Sequence, residues 1–529
     1  MLSVNVLTHD YTNSELGANL AETTLTPTNV NTTSFGQLFS TPVDGLVYAQ
    51  PLYVHHLNMG SFGVHNVVFV ATENDSLYAI DANSGAVIWQ RSFTNSANGV
   101  TPIMSSDVNG NTTIGPEIGI TSKPVINMAT HTLYVLVRTK EIEGSDTHYV
   151  DRLHAINMST GADKNVAVVG DTIVNSDGSY TYVSGPTVNG TGDGSVDGTI
   201  TFNAYIENQR TALTFAHGSI YIAFASLLEM GPYHGWVLGY NAHTLKLNGV
   251  FNDTPNGSGG GIFTSGAGLA VDSAGNLYTS SSNGTFDTTL NAQGFPDEGD
   301  YADSLIKLSV DPSTNANHQG PNGWGLKVSD YFTPTNVEEL NTDELDLGSS
   351  GISFPAASYG APGKRNLLVF GGEAGVIYLL NRNNLGKFNA TANADLDEVT
   401  TPNSAAVYGT PAFYDGEFYI APADGSSSVL AYTLSDAQFG TTPISESDDT
   451  YAYPGSAPTI SADGSRNAIL WTIDHGTDEL RAYTPDDLTD ELYTGSVAEG
   501  TVKFTSPTVA NGEVFVGTQS SLDAFGLLS

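Results

Sequence analysis

Cysteine is absent from the 529 residues, which excludes disulfides, thiolate metal sites and cysteine nucleophiles. Basic residues are scarce: 17 Lys and Arg stand against 56 Asp and Glu, a formal net charge of -39. Such a surface repels phosphate backbones and anionic headgroups, so no nucleic-acid partner is expected. No run of about 18 apolar residues occurs, so no membrane span is expected either. The opening residues Met1, Leu2, Ser3 and Val4 lack the basic and apolar regions of a signal peptide. An extracellular or periplasmic protein whose leader has been removed is the expectation. Capped amphipathic helices, a zinc-binding His-Glu-x-x-His, a Gly-x-Ser-x-Gly elbow and any recognisable nucleophilic triad are missing as well.

What is abundant is turn chemistry. The chain holds 57 glycines and 23 prolines, which with many Asn, Ser and Thr predict short strands and tight turns. The class is all-β. Residues 49–93 form the clearest unit: a short apolar strand, a second ending Val70-Ala71-Thr72, a turn at Glu73-Asn74-Asp75, a third over 76–81, a turn at Asn83-Ser84-Gly85, and a fourth holding Trp89. Four strands joined this way have the size of a propeller blade. A small residue followed by proline marks the first strand again at Ser122-Lys123-Pro124, Gly409-Thr410-Pro411, Ser456-Ala457-Pro458 and Ser506-Pro507. Degenerate copies start near Arg210, Ser265 and Ser350. With the first unit near Ala49, these predict a single eight-bladed β-propeller over 35–529, preceded by an arm over 1–34. The last copy, 502–527, has room for three strands, so residues 35–43 are expected to complete it and remove an exposed edge.

The run Ala79-Ile80-Asp81-Ala82-Asn83-Ser84-Gly85-Ala86-Val87-Ile88-Trp89 resembles the tryptophan-docking motif of quinoprotein propellers. There an Ala, an Asp, a Thr-Gly turn and a Trp follow at fixed spacing, and the Trp stacks between blades. Ser84 replaces the threonine, and a second copy at 155–161 keeps the turn but has Asn165 at the Trp position. The resemblance to the pyrroloquinoline-quinone-like repeat family implies the fold along nearly the whole chain. The group includes quinone-dependent alcohol and sugar dehydrogenases and also cofactor-free scaffolds. Its alcohol dehydrogenases carry adjacent cysteines beside the quinone, absent here, and a Glu, Asn and Asp set for calcium that matches no motif of this sequence. The quinone is therefore not expected as a cofactor, whereas calcium is a candidate.

In a propeller, the connections from outer to next inner strand and from second to third strand share one face. The long insertions 139–150, 160–208, 226–235, 253–265, 281–303 and 330–351 fall mostly there, where binding usually evolves. Glu207 and Arg210 are candidates for a ligand site, the bland alternative being an ion pair that closes the loop. His234 and Trp236 suit stacking and hydrogen bonding to a carbohydrate, the alternative being a packed loop aromatic. Asn283, Asp287, Asp300 and Asp303 supply hard oxygens for calcium, the alternative being solvated acidic residues. The reading favoured by sequence is a secreted non-catalytic propeller, a binding module or surface component with carbohydrate or other protein subunits as partners. A divergent quinone-dependent oxidoreductase and a filament or surface-layer subunit are its rivals. An enzyme would be marked by convergent charged groups with perturbed acidity at the channel mouth.

Overall fold

The computed structural model describes residues 4–110, 114–227 and 229–528, so Met1, Leu2, Ser3 and, within the 226–235 insertion, Leu228 lie outside the description. The chain is all-β and mainly antiparallel. Four-stranded meanders run over residues 52–92, 125–174, 214–252, 270–333, 412–451 and 459–496. Residues 367–400 hold three strands, with Ser353 bridged to Val369 where an inner strand is expected. Each begins a few residues after the position at which the small-residue signature starts. That signature is the entry to the inner strand: proline lacks an amide hydrogen and is tolerated only where no ladder bond is needed.

The last sheet, Thr508–Ala510, Glu513–Gly517 and Ser521–Leu527, is completed by Phe35–Pro42. The register runs from Phe35 opposite Leu527 to Pro42 opposite Ser521. The chain's beginning is thus laced to its end, as the spacing predicted.

Core side chains lie between sheets. Most apolar clusters draw on two neighbouring sheets, and the cluster of the first sheet also takes Phe515 and Leu522 from the last. Tyr53 and Phe515 stack at 5.8 Å between ring centroids across that closing seam. Trp89 performs the docking its motif implied. Its indole donates to the Met158 carbonyl at 3.0 Å, and its ring covers Gly161 of the next sheet, where a Cβ would lie 3.0 Å from it. Glycine is required there twice over, since Gly161 also sits at φ 70°.

The N-terminal arm is ordered by backbone pairing that the sequence did not announce. Val6 bridges Tyr53 of the first sheet, and Leu7 accepts from Ile126 of the second. Asn13 accepts from Val271 and donates through its side chain to Phe215. Ser14, Leu16 and Gly17 accept from Phe354, Phe413 and Ile460. Ala18–Asn19 then pairs in parallel with the seventh sheet, and Asn19 and Glu22 bond the eighth at Val509 and Gly512. The arm visits the inner strands in chain order, so it runs as a belt along their inward edges. Unpaired strand edges facing a channel are thereby satisfied.

Candidate functional site

The connections into the inner strands converge on a cavity of about 300 Å³. Arg210, Ser265, Ser349, Tyr408, Tyr453 and Phe504 reach it from successive inter-sheet connections, and Ser226, Glu229 and Glu373 from second-to-third-strand turns. These are the connections predicted to share a face, so the cavity is the mouth of the central channel. The belt meets each inner strand a few residues further along, at Tyr53, Phe215, Val271, Phe413 and Ile460, and closes the channel below.

One side of the mouth is cationic. The Arg210 guanidinium lies over the Phe504 ring at 4.8 Å and the Phe263 ring at 5.8 Å. Lys503 sits 5.7 Å from the Tyr453 ring and 5.6 Å from Phe504. Among the described residues neither cation has a carboxylate within 4.0 Å. Burial, then the Arg210 charge, pushes the Lys503 ammonium down to about 8. Two cations on aromatic faces, with their donors free, suit a planar anion.

The other side is acidic. Asp346 is buried, accepts the Asn283 amide at 3.1 Å and neighbours Glu373. Burial and then the Glu373 charge hold its carboxyl well above the usual range. Burial likewise raises Glu373, and Glu229 is raised by burial and by Glu344. Asp303 accepts from the Leu347 amide at 3.2 Å through one oxygen, while burial pushes it up to about 7. Its second oxygen, Oδ1 of Asn283 and the hydroxyls of Ser226 and Ser282 are buried without a partner. Orphaned hard oxygens beside protonatable carboxylates are costly unless a cation or a ligand completes them.

The candidates from sequence are divided by the structure. Arg210 lines the mouth, but no ion pair joins it to Glu207. Glu207 is buried, taking the His234 amide and the Trp236 indole at 3.3 Å each, with its other oxygen unpartnered. His234 is saturated by Thr254 and the Asp193 carbonyl, both at 2.9 Å. Trp236 is wholly inside, edge-on to Phe202. Asn283 and Asp303 come together around Asp346. Asp287 instead caps its own loop through Thr289 and Glu298, and Asp300 accepts the Asn256 amide. Asp346, Glu373, Tyr408, Tyr453, Lys503 and Phe504 escaped the sequence reading. A positional signal existed: Tyr408, Tyr453 and Phe504 stand one to three residues ahead of the inner-strand signatures.

No family model matches the chain, and no curated protein aligns with it. By structure it is similar to a quinohemoprotein alcohol dehydrogenase of Pseudomonas putida, at 13% identity and TM-score 0.60, over 99% of this chain and 80% of that one. A quinohemoprotein alcohol dehydrogenase of Comamonas testosteroni matches at 12% and 0.60 over the same shares. A europium-containing methanol dehydrogenase matches at 12% and 0.59 over 99% of this chain and 98% of its own. The likeness establishes the fold, a propeller of the quinoprotein-dehydrogenase kind. It also corrects the expectation of a non-catalytic module. Whole-length similarity runs to dehydrogenases. Among the described residues no helix is long and apolar enough to cross a membrane.

Proposed function

We propose that this chain is a divergent quinone-dependent oxidoreductase acting on alcohols or sugars, built as an eight-bladed propeller over 35–529 with the arm 1–34 as its belt. The observation that carries the reading is the division of the mouth: unpaired Arg210 and Lys503 on aromatic faces, opposite buried carboxylates and orphaned oxygens. That donor set fits a planar polycarboxylate quinone together with a hard divalent or trivalent cation. With no cysteine in the chain, the faces of such a ligand would be covered by Phe504, Phe263, Tyr408 and Tyr453. When bound, the quinone supplies a two-electron acceptor and the cation polarises it.

The protein's own residues do the rest. Arg210 and Lys503 bind and orient the anionic edge. Asn283 Oδ1, Asp303 Oδ2 and the Asp346 carboxylate would hold the cation. Glu373, raised by burial and then by the Glu229 charge, would take the hydroxyl proton of the substrate, a role that asks for a carboxyl tuned toward neutrality. Calcium or a lanthanide is the cation we assign. An exported location accords with this chemistry.

The test is dye-linked oxidation by the purified chain supplied with pyrroloquinoline quinone and calcium or a lanthanide, against a panel of alcohols and aldoses. Turnover that Asp346→Asn lowers at least tenfold is expected. No reduction of dye with any substrate at saturating quinone and cation would sink the proposal.

A further inference from the structure

Below the mouth, the belt carries a second constellation that the oxidoreductase reading does not use. His9, Asp10 and Glu15 are each no more than 2% exposed. Their ligand atoms lie within 4.8 Å of one another, the one such group of three among the described residues. Nδ1 of His9 is 2.5 Å from Glu15 Oε2 and 3.5 Å from Asp10 Oδ2. A single imidazole nitrogen carries at most one proton, so it satisfies one of the two carboxylates facing it and leaves the other without that partner.

The charge does not balance locally. Lys123 is the buried cation of this region, yet its ammonium turns to the Gly266 carbonyl at 2.9 Å, and no ion pair within 4.0 Å ties it to Asp10 or Glu15. Two carboxyls removed from water either keep their protons or need a close counter-charge, and a bound cation displaces those protons. One imidazole nitrogen and two carboxylate oxygens are the ligand set of a first-row divalent ion. Metal–ligand bonds of about 2.0–2.2 Å require the nitrogen and the nearer oxygen to separate by roughly half an ångström to one ångström.

We propose that His9, Asp10 and Glu15 bind one divalent transition-metal ion, of the zinc or manganese class, that pins the belt across the closed end of the channel. The ion enters as the belt folds, since the site is sealed afterwards, and its binding free energy becomes folding free energy. Nothing in this assignment depends on the mouth.

The experiment uses the full chain refolded in metal-free buffer with added zinc, manganese or calcium, dialysed exhaustively and assayed by plasma mass spectrometry. One equivalent of zinc or manganese per chain is expected to remain, calcium is expected not to compete for it, and Asp303→Asn at the mouth keeps it. His9→Gln and Glu15→Gln should each retain less than a tenth of an equivalent. Cobalt-loaded wild type gives a reading independent of any variant's folding, through visible bands of a mixed nitrogen and oxygen ligand field. Wild type that retains no zinc or manganese, or retains it equally after both substitutions, overturns the assignment.

Discussion

The two ends of the channel use charge in opposite ways. At the mouth, Arg210 and Lys503 rest on aromatic rings without ionic partners, while burial raises Asp346, Glu373 and Asp303 and one Asp303 oxygen has no partner. At the closed end, His9, Asp10 and Glu15 of the belt lie buried near Lys123, and the belt pairs with sheet after sheet. Groups left unsatisfied in a rigid ring are groups awaiting a ligand; groups bound into the belt hold the ring shut. Stability and function should therefore separate along the channel axis.

Removal of residues 1–24 is the largest disruption of that division. It uncovers the inward edges of the inner strands along the whole ring and should abolish cooperative unfolding monitored by circular dichroism. An unchanged melting temperature would mean that the belt is decoration. Next in size, Lys123→Met removes a buried ammonium together with its bond to the Gly266 carbonyl and should cost about 1–3 kcal/mol in urea unfolding. Arg210→Met, which loses no ion pair, should change stability by less than about 1 kcal/mol while removing quinone binding. Equal losses at the two sites would erase the distinction.

A smaller effect is set by acidity. Asp10 and Asp303 are pushed up to about 7 and Asp253 to about 6, all by burial first. Carboxyls raised in the folded state bind more protons there than in the unfolded chain, where they titrate near 3.9. Their contribution to stability is full below that value and is lost as pH rises through 6–7. The metal-free protein should therefore be less stable at pH 8 than at pH 5. Calcium at the mouth should flatten the contribution of Asp303 and leave that of Asp10. Stability that rises over the same interval would contradict these assignments. The smallest effect is general: with a net charge of -39, raising sodium chloride from 20 to about 200 mM should lift the melting temperature by a few degrees through screening.

The ring was legible because its determinants are local. Pro124, Pro411, Pro458 and Pro507 mark entry to inner strands, Trp89 and Gly161 mark a seam, and the unpaired run 35–43 found its place by counting strands. The mouth was much less legible. Asp346, Glu373 and Lys503 belong to no motif and meet only because connections far apart in sequence end on one axis. Trp236 and His234 look like surface chemistry in a Gly-rich insertion, yet the insertion folds inward and spends both on packing and backbone bonds. The belt was invisible for another reason: it pairs through backbone groups, which any sequence has.

The oxidoreductase reading rests on one binding event at the mouth. Calorimetric titration of pyrroloquinoline quinone into the calcium-loaded wild type and Arg210→Ala tests it most directly. The account predicts one quinone per wild-type chain with dissociation in the micromolar range or tighter, weakened at least a hundredfold by the substitution. Absence of heat and of any change in quinone absorbance with the wild type, or binding that Arg210→Ala leaves untouched, would contradict it.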